Sequence, residues 1–383
     1  MSTLLSVAGV TPRAELVPAD RTELASIVRD LYAAGKAFAF VGGGTELELG
    51  NAPRALDTVV RTTALDRVID YSPEDQTITV EAGMRVAALD ALLAQNDQVL
   101  PLDVADRQYA TVGGAIATNA FGARRHRYGS IKDLIVGIAV VRPDGVTAHA
   151  GGKVVKNVAG FDLTKLMVGS LGTLAGIASA TFRVFSKPAC TQAVLVHAAP
   201  ASALFAALMD DTALEPVAVV HYPALAGVVL TFAGLEASVA GQIAHANALA
   251  ERHATACDLL DGAAFERCTA MESAVRSRGE WRWTARSNAA RARIAVAPPV
   301  ARAVEVAYPT LGVTLVSAGN EAPMDELIAS RGQSIVFRAM PPRARGRVDA
   351  WGEAPPSFPL MRALKANFDP KDLCNPGRFV GGL

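Results

Sequence analysis

The chain has 383 residues, an apolar fraction of 51%, and 37 basic against 37 acidic side chains, a formal net charge of zero. That length and composition fit two or three domains with a well-buried core and exclude a disordered or fibrous chain. The charge balance removes the positive field expected of a nucleic-acid binder, and the short basic run from Arg343 to Arg347 does not restore it. That run reads either as a solvated turn or as a contact for an anionic ligand or partner.

In chain order, residues 1–10 lack the basic start and apolar core of a signal peptide, and no apolar run of about 18 residues follows anywhere. The expectation is a cytoplasmic protein with no direct membrane insertion. Asp20 followed by Glu23 predicts the start of a helix carrying Leu24, Ile27, Val28 and Leu31 on one face, with Gly35 as its stop. Residues 37–41 predict a buried strand that ends in three glycines. Strands are predicted over 77–81 and 135–142, the second turning at Pro143-Asp144-Gly145 into a partner over 146–150. Between them, 86–94 predicts a helix, and 173–184 an extended, β-branched run. Past Pro188 the texture becomes Ala/Val-rich, with helices predicted over 202–209 and 239–252, a second and smaller α+β lobe. A short helix over 360–367 leads a tail expected to rejoin the first lobe. No internal repeat is read from the sequence.

Three glycines after a buried strand let the backbone approach a ligand, so that successive N–H groups converge on an anion such as pyrophosphate; alternatively they simply make a turn. No G-x-x-x-x-G-K-[ST] occurs, which excludes a P-loop, and residues 42–50 lack the G-x-G-x-x-G spacing of a Rossmann helix. Thr111-Val112-Gly113-Gly114 precedes Ala115, Ala117 and Ala120, a row of small side chains suited to a flat ligand or to close helix packing. Thr118 and Asn119 add a hydroxyl and an amide there. The cysteines, Cys190, Cys257, Cys268 and Cys374, form no C-x-x-C pair, so neither an iron–sulfur cluster nor a zinc ribbon is supported.

Taken with Gly42-Gly43-Gly44-Thr45, Pro101-Leu102-Asp103, Tyr128-Gly129, Lys156-Asn157-Val158-Ala159-Gly160-Phe161-Asp162-Leu163-Thr164-Lys165-Leu166 and Gly172-Thr173-Leu174, these pieces resemble the vanillyl-alcohol-oxidase-type (PCMH-type) FAD family. The closing Phe368-Asp369-Pro370 and Asn375-Pro376-Gly377-Arg378 fit as well. Within that family the chain is most similar to the FAD-binding E subunits of bacterial glycolate oxidases, over roughly half its length. The resemblance implies an α+β protein with a two-part PCMH-type FAD-binding domain over 1–187, a smaller α+β cap domain over 188–355, and a C-terminal segment, 356–383, that returns to the FAD domain. It implies that Val41, Gly42, Gly43, Gly44 and Thr45 hold the pyrophosphate. Pro101, Thr111, Val112, Gly113, Gly114, Thr118 and Asn119 would line the phosphates, ribityl chain or flavin. Tyr128 and Gly129 would lie near the isoalloxazine, and Gly176 and Ile177 on the adenine side. Lys156, Asn157, Asp162 and Lys165 either touch the flavin or prop the loop behind it.

The implied activity is that of a flavoprotein subunit of a glycolate oxidase/dehydrogenase complex, which converts glycolate to glyoxylate. It would work beside a homologous catalytic flavoprotein subunit and an iron–sulfur subunit, with any membrane attachment made through those partners. The alternatives are a self-sufficient FAD-dependent 2-hydroxy-acid or alcohol dehydrogenase and a non-catalytic assembly subunit with structural FAD. Covalent flavin attachment in the family uses a His in the first glycine loop or a Cys in the later one; neither is present, so non-covalent FAD is expected. His126, between Arg125 and Arg127, is a candidate for proton transfer, and Arg124 and Arg125 for a carboxylate, against a reading as solvated loop residues. Relatives that oxidise 2-hydroxy acids unaided are expected to carry a His-rich metal site. This chain has no His after His253, and His197, His221, His245 and His253 form no i, i+3 or i, i+4 pair, so no metal is expected. Trp281-Arg282-Trp283 reads as an edge strand packing its apolar face, or as a stacking surface for a ligand.

Overall fold

A computed structural model describes residues 4–152, 163–200, 202–286, 303–319 and 335–383. The chain divides into two units: Met1–Phe121, Ser130–Ser186 and Phe337–Leu383 make the first, Gly122–Gly129 and Lys187–Val336 the second.

The first unit starts as its capping residues dictate. Asp20 Oδ1 accepts from the N–H groups of Thr22 (2.8 Å) and Glu23 (2.9 Å), opening helix α1 (Arg21–Ala33). The Glu23 carboxylate reaches past Asp20 to accept from Ala19 N–H at 2.6 Å. Strands β1 (Ala14–Leu16), β2 (Phe38–Val41) and β3 (Thr58–Arg61) form a parallel sheet in the order β1-β3-β2. A second, antiparallel sheet runs β4-β5-β9-β7-β8, from β4 (Val68–Ser72), β5 (Thr77–Glu81), β7 (Ile135–Val141), β8 (Thr147–Gly151) and β9 (Gly176–Arg183). A short pair, β6 (Gln98–Val99) with β10 (Phe185–Ser186), completes the strands. Leu24, Val28 and Leu31 of α1 share one core with Phe38 and Val60 of the parallel sheet and Ala139, Val141 and Ala178 of the antiparallel one. Burial of each leucine, valine and phenylalanine among them contributes about 1.5–3 kcal/mol, which binds the two sheets into one body. Helices α2 (Val86–Ala94), α3 (Val112–Thr118), α5 (Ile131–Leu134), α6 (Leu163–Met167) and α10 (Phe358–Phe368) belong to the same unit.

The tail packs back onto these sheets. Lys365 Nζ, 5% exposed as a residue, donates to Asp369 Oδ2 (2.6 Å) and to the carbonyls of Thr173 and Cys374 (both 2.9 Å). Asn375 N–H donates to Phe38 O at 2.6 Å, and Asn375 Nδ2 to Leu171 O at 2.6 Å. The sequence places the return at residue 356, whereas contacts with the first unit begin at Phe337, because Arg338, Arg345 and Ala350 bond to Glu46, Glu48 and Asn51.

The second unit holds α4 (Arg125–Tyr128), α7 (Ala203–Asp210), α8 (Glu236–Glu251) and α9 (Gly262–Ser277). Its strands are β11 (Cys190–Val196), β12 (Ala218–Tyr222), β13 (Gly227–Gly234), β14 (Cys257–Leu259), β15 (Trp281–Arg286), β16 (Val304–Tyr308) and β17 (Val313–Ala318), with β18 (Ile335–Ala339) carrying the chain onward. The sheet order is β14-β11-β13-β12-β16-β17-β15-β18. Numbered from one to four within each half, the strands read 4-1-3-2 and then 2-3-1-4, reflected about a seam where His221 pairs with Ala307. The unit is therefore an internal repeat, which corrects the sequence reading. Its local trace is Tyr222-Pro223-Ala224-Leu225 against Tyr308-Pro309-Thr310-Leu311. Each makes one 3-10 turn and ends in a left-handed residue, Ala226 (φ 49°) or Gly312 (φ 61°).

Register shows why the repeat is faint in sequence. Trp281 lies opposite Ala318 in the second half, where Gln192 lies opposite Phe232 in the first. The large buried side chain has changed strands, from β13 (Phe232) in one half to β15 (Trp281) in the other, while Gln192 opposite Phe232 is exposed. Trp281 and Trp283 are 0% and 1% exposed, and β15 sits inside the sheet, so they are core residues of an interior strand rather than of an edge. Among the described residues no helix is long and apolar enough to cross a membrane.

Candidate functional site

The glycine turn follows directly from β2. A Cβ on Gly42 would overlap Thr111 Oγ1, and one on Gly43 would overlap the Tyr109 carbonyl, so two turns distant in sequence meet at a spacing that only glycine permits. Thr111 is also the N-cap of α3, its Oγ1 accepting from Gly114 N–H at 3.3 Å. Gly113 N–H donates to Ala82 O (2.7 Å) and Val112 N–H to Met84 O (2.9 Å), which fixes the start of α3 on the chain after β5. Among the described residues, the N–H groups of Gly43, Gly44 and Thr45 donate to no backbone carbonyl. Thr118 Oγ1 donates to Gly114 O at 2.8 Å. Asn119 ends the helix at φ 49° with a buried Oδ1 that has no hydrogen-bond partner. Free amides on one turn and an orphaned acceptor on the next fit a ligand with both phosphate acceptors and hydroxyl or imide donors, as FAD has.

The remaining predicted positions fall around this juncture or elsewhere. Val41 ends β2, 3% exposed. Pro101 is buried at the start of a loop pinned by Arg107, which donates to Leu102 O (2.6 Å) and to both carboxylate oxygens of Asp90 on α2 (2.7 Å each). Gly176 and Ile177 open β9, Gly176 packed under the Phe40 ring. Of the Lys/Asn/Asp stretch, residues 156–162 lie outside the described residues, and Leu163, Thr164, Lys165 and Leu166 lie in α6.

Arg124, Arg125, His126, Tyr128 and Gly129 all lie in Gly122–Gly129, which groups with the second unit. Here α4 is a single turn closed by Gly129 at φ 79°. His126 is exposed, but surrounding protein thins its hydration and Arg127 repels a proton, so its pKa is pushed below the usual histidine value. Both effects favour the neutral imidazole, the form that accepts a proton. Arg127 faces Glu215 at 3.9 Å. His197 and His245 are each paired to an aspartate, Asp258 and Asp211, at 2.8 Å. Among the described residues no three His, Cys, Asp or Glu side chains gather as a metal-ligand group.

Sequence reasoning missed the charges behind the glycine turn. Glu46 pairs with Arg338 at 3.1 Å and Glu48 with Arg345. Arg378 donates to the carbonyls of Leu47 (3.1 Å), Leu49 (2.6 Å) and Asn51 (2.9 Å). The signal for this cluster in the sequence is Asn375-Pro376-Gly377-Arg378.

Compared with known proteins, the family described as FAD binding domain matches residues 12–151. Over 185 residues the chain is 34% identical to D-2-hydroxyglutarate dehydrogenase of Xanthomonas citri pv. viticola, covering 48% of this chain and 39% of that protein. Over 122 residues it is 34% identical to glycolate oxidase subunit GlcE of Escherichia coli, covering 32% of this chain and 35% of that protein. The matches thus span less than half the length of these relatives. Among solved structures, alkyldihydroxyacetonephosphate synthase is similar with a TM-score of 0.68 at 18% identity, covering 96% of this chain and 78% of that one, a likeness of fold. Residues 12–151 carry an FAD-binding domain, and the cofactor is FAD.

Proposed function

We propose that this chain is the FAD-binding flavoprotein subunit of a glycolate oxidase/dehydrogenase complex, acting in the oxidation of glycolate to glyoxylate with a homologous catalytic flavoprotein subunit and an iron–sulfur subunit. The observation that carries the reading is the meeting of Gly42 and Gly43 with Tyr109 and Thr111 inside the segment that matches an FAD binding domain. Likeness to a glycolate oxidase subunit supports the assembly. When bound, FAD supplies the acceptor for the electron pair that leaves a substrate carbon. In this reading the N–H groups of Gly43, Gly44 and Thr45 hold the pyrophosphate, and Thr118 and Asn119 orient the groups beyond it. The cofactor is held non-covalently, since Thr45 stands where an attaching His would be and residues 113–129 contain no Cys. On the second unit, neutral His126 accepts a hydroxyl proton and Arg124 and Arg125 bind a carboxylate if this chain turns substrate over itself. The absence of any His after His253 in the sequence favours electron relay over an independent metal-assisted site. The protein works in the cytoplasm, and any hold on a membrane comes through the partner subunits.

The test is an absorbance spectrum of the purified chain before and after anaerobic glycolate, followed by acid precipitation. A yellow protein that releases its flavin and is not bleached is the expected result. A second reading, a self-sufficient 2-hydroxy-acid dehydrogenase, is favoured by the likeness to D-2-hydroxyglutarate dehydrogenase, and bleaching by a 2-hydroxy acid without partners would select it. A chain that stays colourless after reconstitution with FAD would overturn both.

A further inference from the structure

The loop that leaves the glycine turn carries two carboxylates, Glu46 and Glu48, close to where the FAD reading puts a pyrophosphate. Uncompensated, they would repel it. The segment returning from residue 337 compensates them: Arg338 pairs with Glu46, Arg345 with Glu48, and Arg378, 3% exposed, donates to the carbonyls of Leu47, Leu49 and Asn51. Asp349 of the same segment accepts from Asn51 Nδ2 at 3.0 Å, so three arginines face three carboxylates here and this shell is balanced only while Arg378 is present. The loop also answers Arg378 in kind, Asn51 N–H donating to Arg378 O at 3.0 Å and Trp351 Nε1 to the same oxygen at 3.0 Å. Burial, and Arg345 beside it, pull the Arg378 pKa down to about 10, so the guanidinium remains charged at neutral pH.

Resting on the FAD reading above, we propose that Arg378 is a positioning residue for the phosphate-bearing part of the cofactor: by holding the three carbonyls of residues 47–51 it sets the course of the loop after Gly43–Thr45, and its buried charge offsets the carboxylates there that would otherwise repel an anion. A lysine keeps the charge but has no planar fork to reach three divergent carbonyls. A methionine removes both.

The experiment is titration of the deflavinated full-length chain with FAD and, separately, with riboflavin, which lacks the phosphates, followed by flavin fluorescence for wild type, Arg378→Lys and Arg378→Met. Loss of a buried charged hydrogen-bonding group predicts an FAD Kd raised about 30-fold or more in Arg378→Met, with the riboflavin Kd changed less than about 3-fold and Arg378→Lys falling between. Should Arg378→Met not fold, Arg378→Lys decides, with FAD weakened more than riboflavin as the supporting result. FAD binding unchanged in the variants, or FAD and riboflavin weakened equally, overturns the proposal while leaving the FAD reading intact. Failure of the wild-type chain to bind FAD at all overturns that reading and the proposal with it.

Discussion

The two halves of the eight-stranded sheet solve one packing problem with different residues. In the first, Phe232 on β13 supplies the bulk and faces Gln192; in the second, Trp281 on β15 supplies it and faces Ala318. The first half packs β11, β12 and β13 against α7 and α8 through Val194, Val219, Leu230, Phe232, Leu208 and Leu249. At the turns the same exchange occurs in miniature, alanine occupying the left-handed position in one half and glycine in the other. What is shared between the halves is topology and register, and residue identity differs wherever those two allow it. One residue ties the halves together: Glu272 of α9 accepts from Tyr222 OH (3.0 Å) with one oxygen and from Tyr308 OH (2.8 Å) with the other, while Arg276 donates to Tyr308 OH at 2.5 Å.

The comparison breaks most visibly at Trp281. Trp281→Ala should cost about 3–5 kcal/mol of stability in the second unit. Adding Ala318→Phe, which transplants the first half's solution, should recover about 1–2 kcal/mol. Urea unfolding followed by the fluorescence of Trp283, in a Trp351→Phe background, measures both, and no recovery in the double variant would show that the halves are not interchangeable at this layer. Next in size, Glu272→Ala leaves both phenols buried without their acceptor, at about 1–3 kcal/mol for each. Here Tyr222→Phe in the alanine background should recover part of that loss, as read by the same melt, whereas Tyr308→Phe should not, because the Tyr308 hydroxyl also accepts from Arg276. The smallest effect sharpens the likeness of the turns. Ala226→Gly should stabilise and Gly312→Ala destabilise by about 1 kcal/mol each, since the left-handed conformation burdens any residue with a Cβ. Thermal midpoints moving in the same direction would contradict the equivalence of the two turns.

Much of the first unit was legible because its elements obey local rules. Residues 77–81 and 86–94 were delimited as found, and Asp20 and Gly35 bracket α1. The glycine turns were legible for a different reason: at Gly42 and Gly43 no other residue fits, so chemistry leaves its mark on identity. The repeat in the second unit was not, because alternating apolar residues are satisfied by Val, Leu, Ala, Phe or Trp alike. What survives of it is Tyr-Pro-x-Leu, at residues 222–225 and 308–311. The grouping of Gly122–Gly129 with the second unit was equally invisible, since nothing in a run of arginines says which surface it joins. Arg378 was hidden for the opposite reason. Its partners are backbone carbonyls, which every sequence has.

That last contact also bears on the order in which the protein is made. Leu49 O and the Arg378 guanidinium are separated by 329 positions along the chain. During synthesis the glycine turn emerges early, yet the guanidinium that fixes its continuation emerges after the whole second unit has been produced. At about 5–20 residues per second, the loop therefore waits tens of seconds on the ribosome with its carbonyls bonded to water. The first unit gains this contact only after translation has delivered Arg378.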